Sequence, residues 1–84
     1  MERTEILEQL TGIFREVLDD ESLTLTPELT AEDVPQWDSF NHINIVVGTE
    51  MQFGIKFRID ELEQLRNVGE FVKLIDRKLK DESR

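Results

Sequence analysis

The stretch "PQWDSFNHINIVV" gathers the side chains of this 84-residue chain best suited to chemistry: Asp38, Ser39 and His42, its only histidine. A nucleophilic serine needs a base and a third group to orient that base. His42 follows three residues on, but no Gly-x-Ser-x-Gly elbow surrounds Ser39, and so short a chain offers little depth for a site that excludes water. The wheel position of His42 leans toward the apolar face of its helix, where a hydrogen-bonded packing histidine belongs. The residues therefore argue against catalysis, and no enzyme is expected. Metal binding is not expected either, because Asp19, Asp20 and Glu21 lack the spacing and the glycine of a calcium loop.

Two uses of Ser39 stay open on the residues alone. Asp38 can cap the helix that follows, with Ser39 as a second capping hydroxyl. Alternatively, the hydroxyl is a handle. A phosphodiester formed there meets unpaired backbone N–H groups and the positive end of the helix dipole, both of which tolerate an anion.

The elements that must position this serine follow from periodicity. Ile6, Leu7, Leu10, Ile13, Phe14, Val17 and Leu18 recur at helical spacing and predict a first helix over about 4–18, capped by Thr4. Residues 19–38 form a long connection, unusual in a small domain unless it packs or functions. Leu23, Leu25, Leu29 and Val34 give it apolar anchors for a strap across the bundle, with a short helical turn near Thr30–Asp33. The second helix spans about 39–53 and has two apolar faces: Ile45, Val46, Thr49 and Phe53 on one, Phe40, Ile43, Val47 and Met51 on the other. One face must enter the core, and the second fits a partner. "FGIKF" reads as an extended linker plugging the core. A short helix over about 60–65 is expected to make its contacts through Ile59, Leu62 and Leu65. A last helix over 68–80 is capped by Asn67, with Glu70 completing the pair and a stripe of Val68, Phe71, Val72, Ile75 and Leu79. The tail "KDESR" is expected to fray. The sum is one all-α domain over residues 1–84, a small four-helix bundle.

Composition limits the partners. Cysteine is absent, so the core must come from apolar packing alone. No apolar run approaches the about 20 residues that cross a bilayer, which points to a soluble cytoplasmic protein without membrane insertion. The net charge of −9 is uneven: residues 1–33 hold ten acids against two bases, a balance of −8. Such a front half repels phosphate backbones and anionic lipid, so nucleic acid is not an expected partner.

In these residues the chain resembles the acyl carrier proteins and the related peptidyl carrier domains. Those are four-helix bundles with a long first loop and an Asp-Ser-Leu motif opening the second helix, present here as Asp38-Ser39-Phe40. Phe53-Gly54-Ile55, the short third helix and Asn67-Val68 continue the likeness, which runs from about Leu29 to Ile75. The resemblance implies that Ser39 receives 4′-phosphopantetheine from coenzyme A through a magnesium-dependent phosphopantetheinyl transferase. The thiol of that arm then holds an acyl or aminoacyl group as a thioester. It further implies an acyl- or aminoacyl-activating ligase or synthase as partner, a monomeric carrier, and contact by such enzymes along Trp37, Phe40, Ile43, Val47 and Met51. Val46, Thr49, Leu62 and Leu65 match the positions that shelter the acyl chain.

The match departs in places. Fatty-acid carriers line the second helix with acids, whereas this one carries Glu50 alone, with Asn41, Asn44, Met51 and Gln52 where charges are common. Phe40 replaces the usual leucine, Trp37 a small residue, and Thr49 a leucine. Recognition should therefore lean on apolar contact rather than steering. The expectation is a carrier serving a specialised branch of fatty acid or secondary metabolite biosynthesis. The alternative is an unmodified carrier-like bundle acting as a protein-interaction module.

Overall fold

The computed structural model describes residues 2–82. Four helices account for most of them: α1 (Arg3–Leu18), α2 (Ser39–Phe53), α3 (Ile59–Glu63) and α4 (Val68–Glu82), with one 3₁₀ turn at Ala31–Asp33. No strand occurs among the described residues, and no helix there is long and apolar enough to cross a membrane.

The apolar stripe of α1 makes it the central element, packed against both α2 and α4. Ile6, Leu10 and Phe14 are fully buried and meet Ile45 from α2 and Val68, Phe71 and Ile75 from α4 in one continuous core. Leu74, outside the expected stripe of α4, is buried as well. Two of the major helices, α1 and α2, end for an identifiable reason. Asp19 and Gly54 take left-handed conformations at the C-termini of α1 and α2, with φ of 53° and 67°. This turns the chain out of the helix so that late carbonyls find partners. Glu50 locks the second of these exits. Its carbonyl accepts from the N–H groups of Gly54 and Ile55, and its carboxylate accepts from the Phe57 N–H at 2.8 Å.

The long connection is a strap held from both sides. Leu25 and Val34 are buried, and Leu23 and Leu29 pack against the same core. Its carbonyls serve as acceptors for the neighbouring helices. Leu23 O takes the Arg15 Nε–H of α1, while Leu29 O and Pro27 O take the first N–H groups of α4, from Val68 and Gly69. Those N–H groups have no partner inside their own helix. A Cβ on Gly69 would lie 3.1 Å from Pro27 O, so a side chain there would press the strap away.

Several sequence expectations are corrected. The N-cap of α1 is Glu2 rather than Thr4, because Glu5 Oε1 reaches back to the Glu2 N–H and starts the helix earlier. Ile59 is 77% exposed and makes no core contact of the kind expected. With α3 ending at Glu63, Leu65 lies in the following turn, and Ile59 has no complete helical face to share with it. α4 continues through Lys80 and Asp81 to Glu82 instead of fraying there; the expected fraying of the last two residues lies outside the described residues. Asp76 is a charge buried on α4, where Arg3 Nε at 3.2 Å and Lys80 Nζ at 3.3 Å neutralise it and tie the start of α1 to the end of α4. The hydrogen bond from Arg3, helped by that from Lys80, holds its carboxyl below the ordinary 3.8.

Candidate functional site

Ser39 is the first residue of α2 and is exposed. The turn before it is fixed by hydrogen bonds that leave the serine hydroxyl outside the network. Asp38 Oδ1 accepts from the Asn41 N–H at 2.9 Å, Asp38 O accepts from the His42 N–H, and Asn41 Nδ2 donates to Gln36 O. Asp38 is therefore the cap, and the backbone enters the helix with Ser39 turned to solvent.

Below the serine the same turn is anchored in the core. Trp37 packs edge-on against Phe14 of α1 with ring centroids 4.8 Å apart, and its Nε1–H donates to His42 Nδ1 at 3.0 Å. Trp37 is only 8% exposed. Its assignment to a partner-contact surface is corrected on that ground: the indole goes inward because Phe14 and His42 satisfy its face and its N–H.

The bond to Trp37 also settles the state of His42. An indole N–H only donates, so Nδ1 must accept and the neutral ring carries its proton on Nε2. Burial pushes the His42 pKa below its ordinary 6.5, in the same direction. With its lone pair already used, His42 has no acceptor to offer the Ser39 hydroxyl. A serine–histidine couple is not assembled.

An open cleft of about 600 Å³ runs past the serine, lined by Asp38, Ser39 and His42 together with Trp37, Ile43, Ala31, Leu65 and Arg66. Leu65 and Arg66, in the turn before α4, are thus brought beside a serine distant in sequence. Arg66 and Ala31 were not singled out by sequence, since neither belongs to a periodic stripe or motif. Of the other sequence-assigned positions, Phe40, Ile43, Val47 and Met51 form an exposed row along α2, with Phe40 73% and Met51 80% accessible. Val46 and Thr49 are buried on the opposite face, and the Thr49 hydroxyl donates to Ile45 O at 2.7 Å. Leu62 and Leu65 are half-buried. Glu50, the single acid of α2, is engaged with Phe57.

The described residues contain no cluster of acidic, histidine or cysteine side chains able to hold a metal ion. The arrangement can present a hydroxyl, hold a turn rigid and offer an apolar surface.

No family model matches the chain. It is 32% identical over 75 residues to an acyl carrier protein of Acidothermus cellulolyticus, which covers 89% of each chain. It is 31% identical over 77 residues to an acyl carrier protein of Thermotoga maritima, covering 92% of this chain and 95% of the relative. The meromycolate extension acyl carrier protein of Mycobacterium leprae is 37% identical over 79 residues, and the chain spans 62% of that relative's length. Among solved structures, the holo acyl carrier protein of Geobacter metallireducens superposes with a TM-score of 0.87 at 45% identity, covering 92% of this chain and 88% of the other.

Proposed function

The chain belongs to the acyl carrier protein family, and we propose that it carries its cargo on 4′-phosphopantetheine attached to Ser39. The observation that carries this reading is the exposed Ser39 hydroxyl, set by the Asp38 cap at the rigid start of α2 above an open cleft. The residues fit the group: the hydroxyl is free to be modified, and nothing in the core has to move to admit a substituent. When bound, the arm supplies the thiol on which an acyl or aminoacyl group rides as a thioester; the chain has no cysteine to do so.

As the Ser39 Oγ–phosphorus bond forms, the pyrophosphate P–O bond of coenzyme A breaks, adenosine 3′,5′-bisphosphate leaves, and the serine hydroxyl gives up its proton. His42 cannot take it while its lone pair holds the Trp37 N–H, so the base belongs to the transferase. Asp38 is proposed to hold the turn, and Phe40, Ile43, Val47 and Met51 to meet the transferase and the enzymes that load or use the cargo. Of the four positions assigned to the acyl chain, Leu65 shares the cleft with Ser39. Val46 and Thr49 are core residues that a long chain would reach only by displacing packing. This favours small cargo, or cargo held outside the bundle until a partner receives it. The sparsely charged α2, with Glu50 its single acid, and the likeness to a meromycolate extension carrier support a specialised pathway.

Incubation with coenzyme A, magnesium and a broad-specificity phosphopantetheinyl transferase tests the reading by intact mass. The wild type should gain one phosphopantetheine, and Ser39→Ala none. A wild type that stays unmodified while a control carrier is loaded would leave the interaction-module alternative in its place.

A further inference from the structure

A phosphodiester on Ser39 places a new negative charge beside the Asp38 carboxylate, on a chain that already carries −9. Two anions at neighbouring positions repel, and the Asp38 carboxylate is not free to swing away, because it holds the Asn41 N–H. Something in the cleft must offset that repulsion if the arm is to lie against the protein. His42 does not supply a positive charge, since its Nδ1 accepts from Trp37. Arg66 is the one lysine or arginine lining this cleft, and it makes no ion pair or side-chain hydrogen bond among the described residues. Glu63 and Glu70 line a separate hollow with Arg66, without pairing with it. Of the other basic residues, Arg58 pairs with Asp60, and Lys78 and Arg77 with Glu61, while Lys73 lines a separate hollow with Leu65 and Glu70. An unpaired guanidinium lining the same open cleft as a modifiable serine is a two-pronged donor awaiting an oxyanion.

From this we infer that Arg66 is a positioning residue for the prosthetic group: its guanidinium pairs with the phosphodiester on Ser39 and lays the first part of the arm along Leu65 and Ile43. The inference rests on the reading that Ser39 is the attachment point. Phosphorus-31 NMR on the loaded protein tests it, with intact mass recorded on the same samples. In loaded wild type the phosphodiester resonance should move as sodium chloride is raised from 0.05 to 0.5 M, because salt screens a partly exposed pair. Arg66→Lys should keep a reduced movement, and Arg66→Gln should lose it while circular dichroism shows the same helix content. Equal movement in wild type and Arg66→Gln, both fully loaded by mass, overturns the role of Arg66 and leaves the carrier reading intact. No mass gain in any sample takes both down together.

Discussion

The single hydrogen bond between Trp37 and His42 makes the entrance to α2 sensitive to protons. Its direction, from indole to imidazole, requires a bare Nδ1. Burial lowers the His42 pKa below 6.5, so between the folded value and 6.5 the unfolded chain binds a proton that the folded one refuses. The stabilising contribution is therefore complete above pH 6.5 and is lost as the pH falls from there to the folded value. The shifted carboxylates act in another window: Asp20, Asp76 and Glu61, lowered chiefly by hydrogen bonds from Ser22, Arg3 and Lys78, lose their contributions only below 3.8, 3.8 and 4.5. Urea unfolding at pH 7.5 and pH 5 should then show a loss in wild type that His42→Gln removes, because an amide oxygen accepts from the indole without titrating. At pH 7.5 that variant should cost no more than about 1 kcal/mol, the worth of one hydrogen bond. An equal acid loss in both proteins would place the sensitivity elsewhere.

Two glycines show how backbone conformation, apart from packing, sets the limits of the elements. Beyond the adjoining backbone, neither Gly12 nor Gly54 has an atom within 4 Å of where a Cβ would stand. Gly12 lies inside α1, while Gly54 holds a left-handed φ of 67° that ends α2. Alanine at 12 should raise stability by about 0.5–1 kcal/mol, since it favours helix and restricts the unfolded chain. The same change at 54 should lower it by about 1–2 kcal/mol, the penalty of a Cβ in that conformation. Thermal unfolding of the pair would refute this if the two shifts shared a sign. Elements of this length were also the most legible in the sequence. The two-faced wheel of α2 could be read because fifteen residues give four turns of periodicity. Ile59 misled because α3 has five residues, too few for a period to define a face. Trp37 misled because it precedes the cap, in a strap where no repeat tells inward from outward. That Arg66 and Ser39 line one cleft depends on how two turns meet across the bundle, and local pattern carries no record of that.

Over the whole molecule, charge and apolar surface are segregated. The front of the chain bears nearly all the net charge, yet the face next to Ser39 is a neutral row of Phe40, Ile43, Val47 and Met51, with Glu50 drawn off to Phe57. Exposed charge steers encounter weakly once salt screens it over about 10 Å. Apolar contacts at the centre of an interface decide affinity instead. The double variant Phe40→Gln, Ile43→Gln separates these contributions, because both side chains are exposed and glutamine suits a helix surface. Folding stability should stay within about 0.5 kcal/mol of wild type, as expected for surface positions. Loading by a phosphopantetheinyl transferase should lose at least about tenfold in kcat/KM, the loss of a modest interfacial hot spot. Between 0.05 and 0.5 M salt the wild-type value should change by less than about threefold, in contrast to a steered encounter. A double variant loaded at the wild-type rate, with a steep fall in salt, would instead assign recognition to the acidic residues of α1 and the strap.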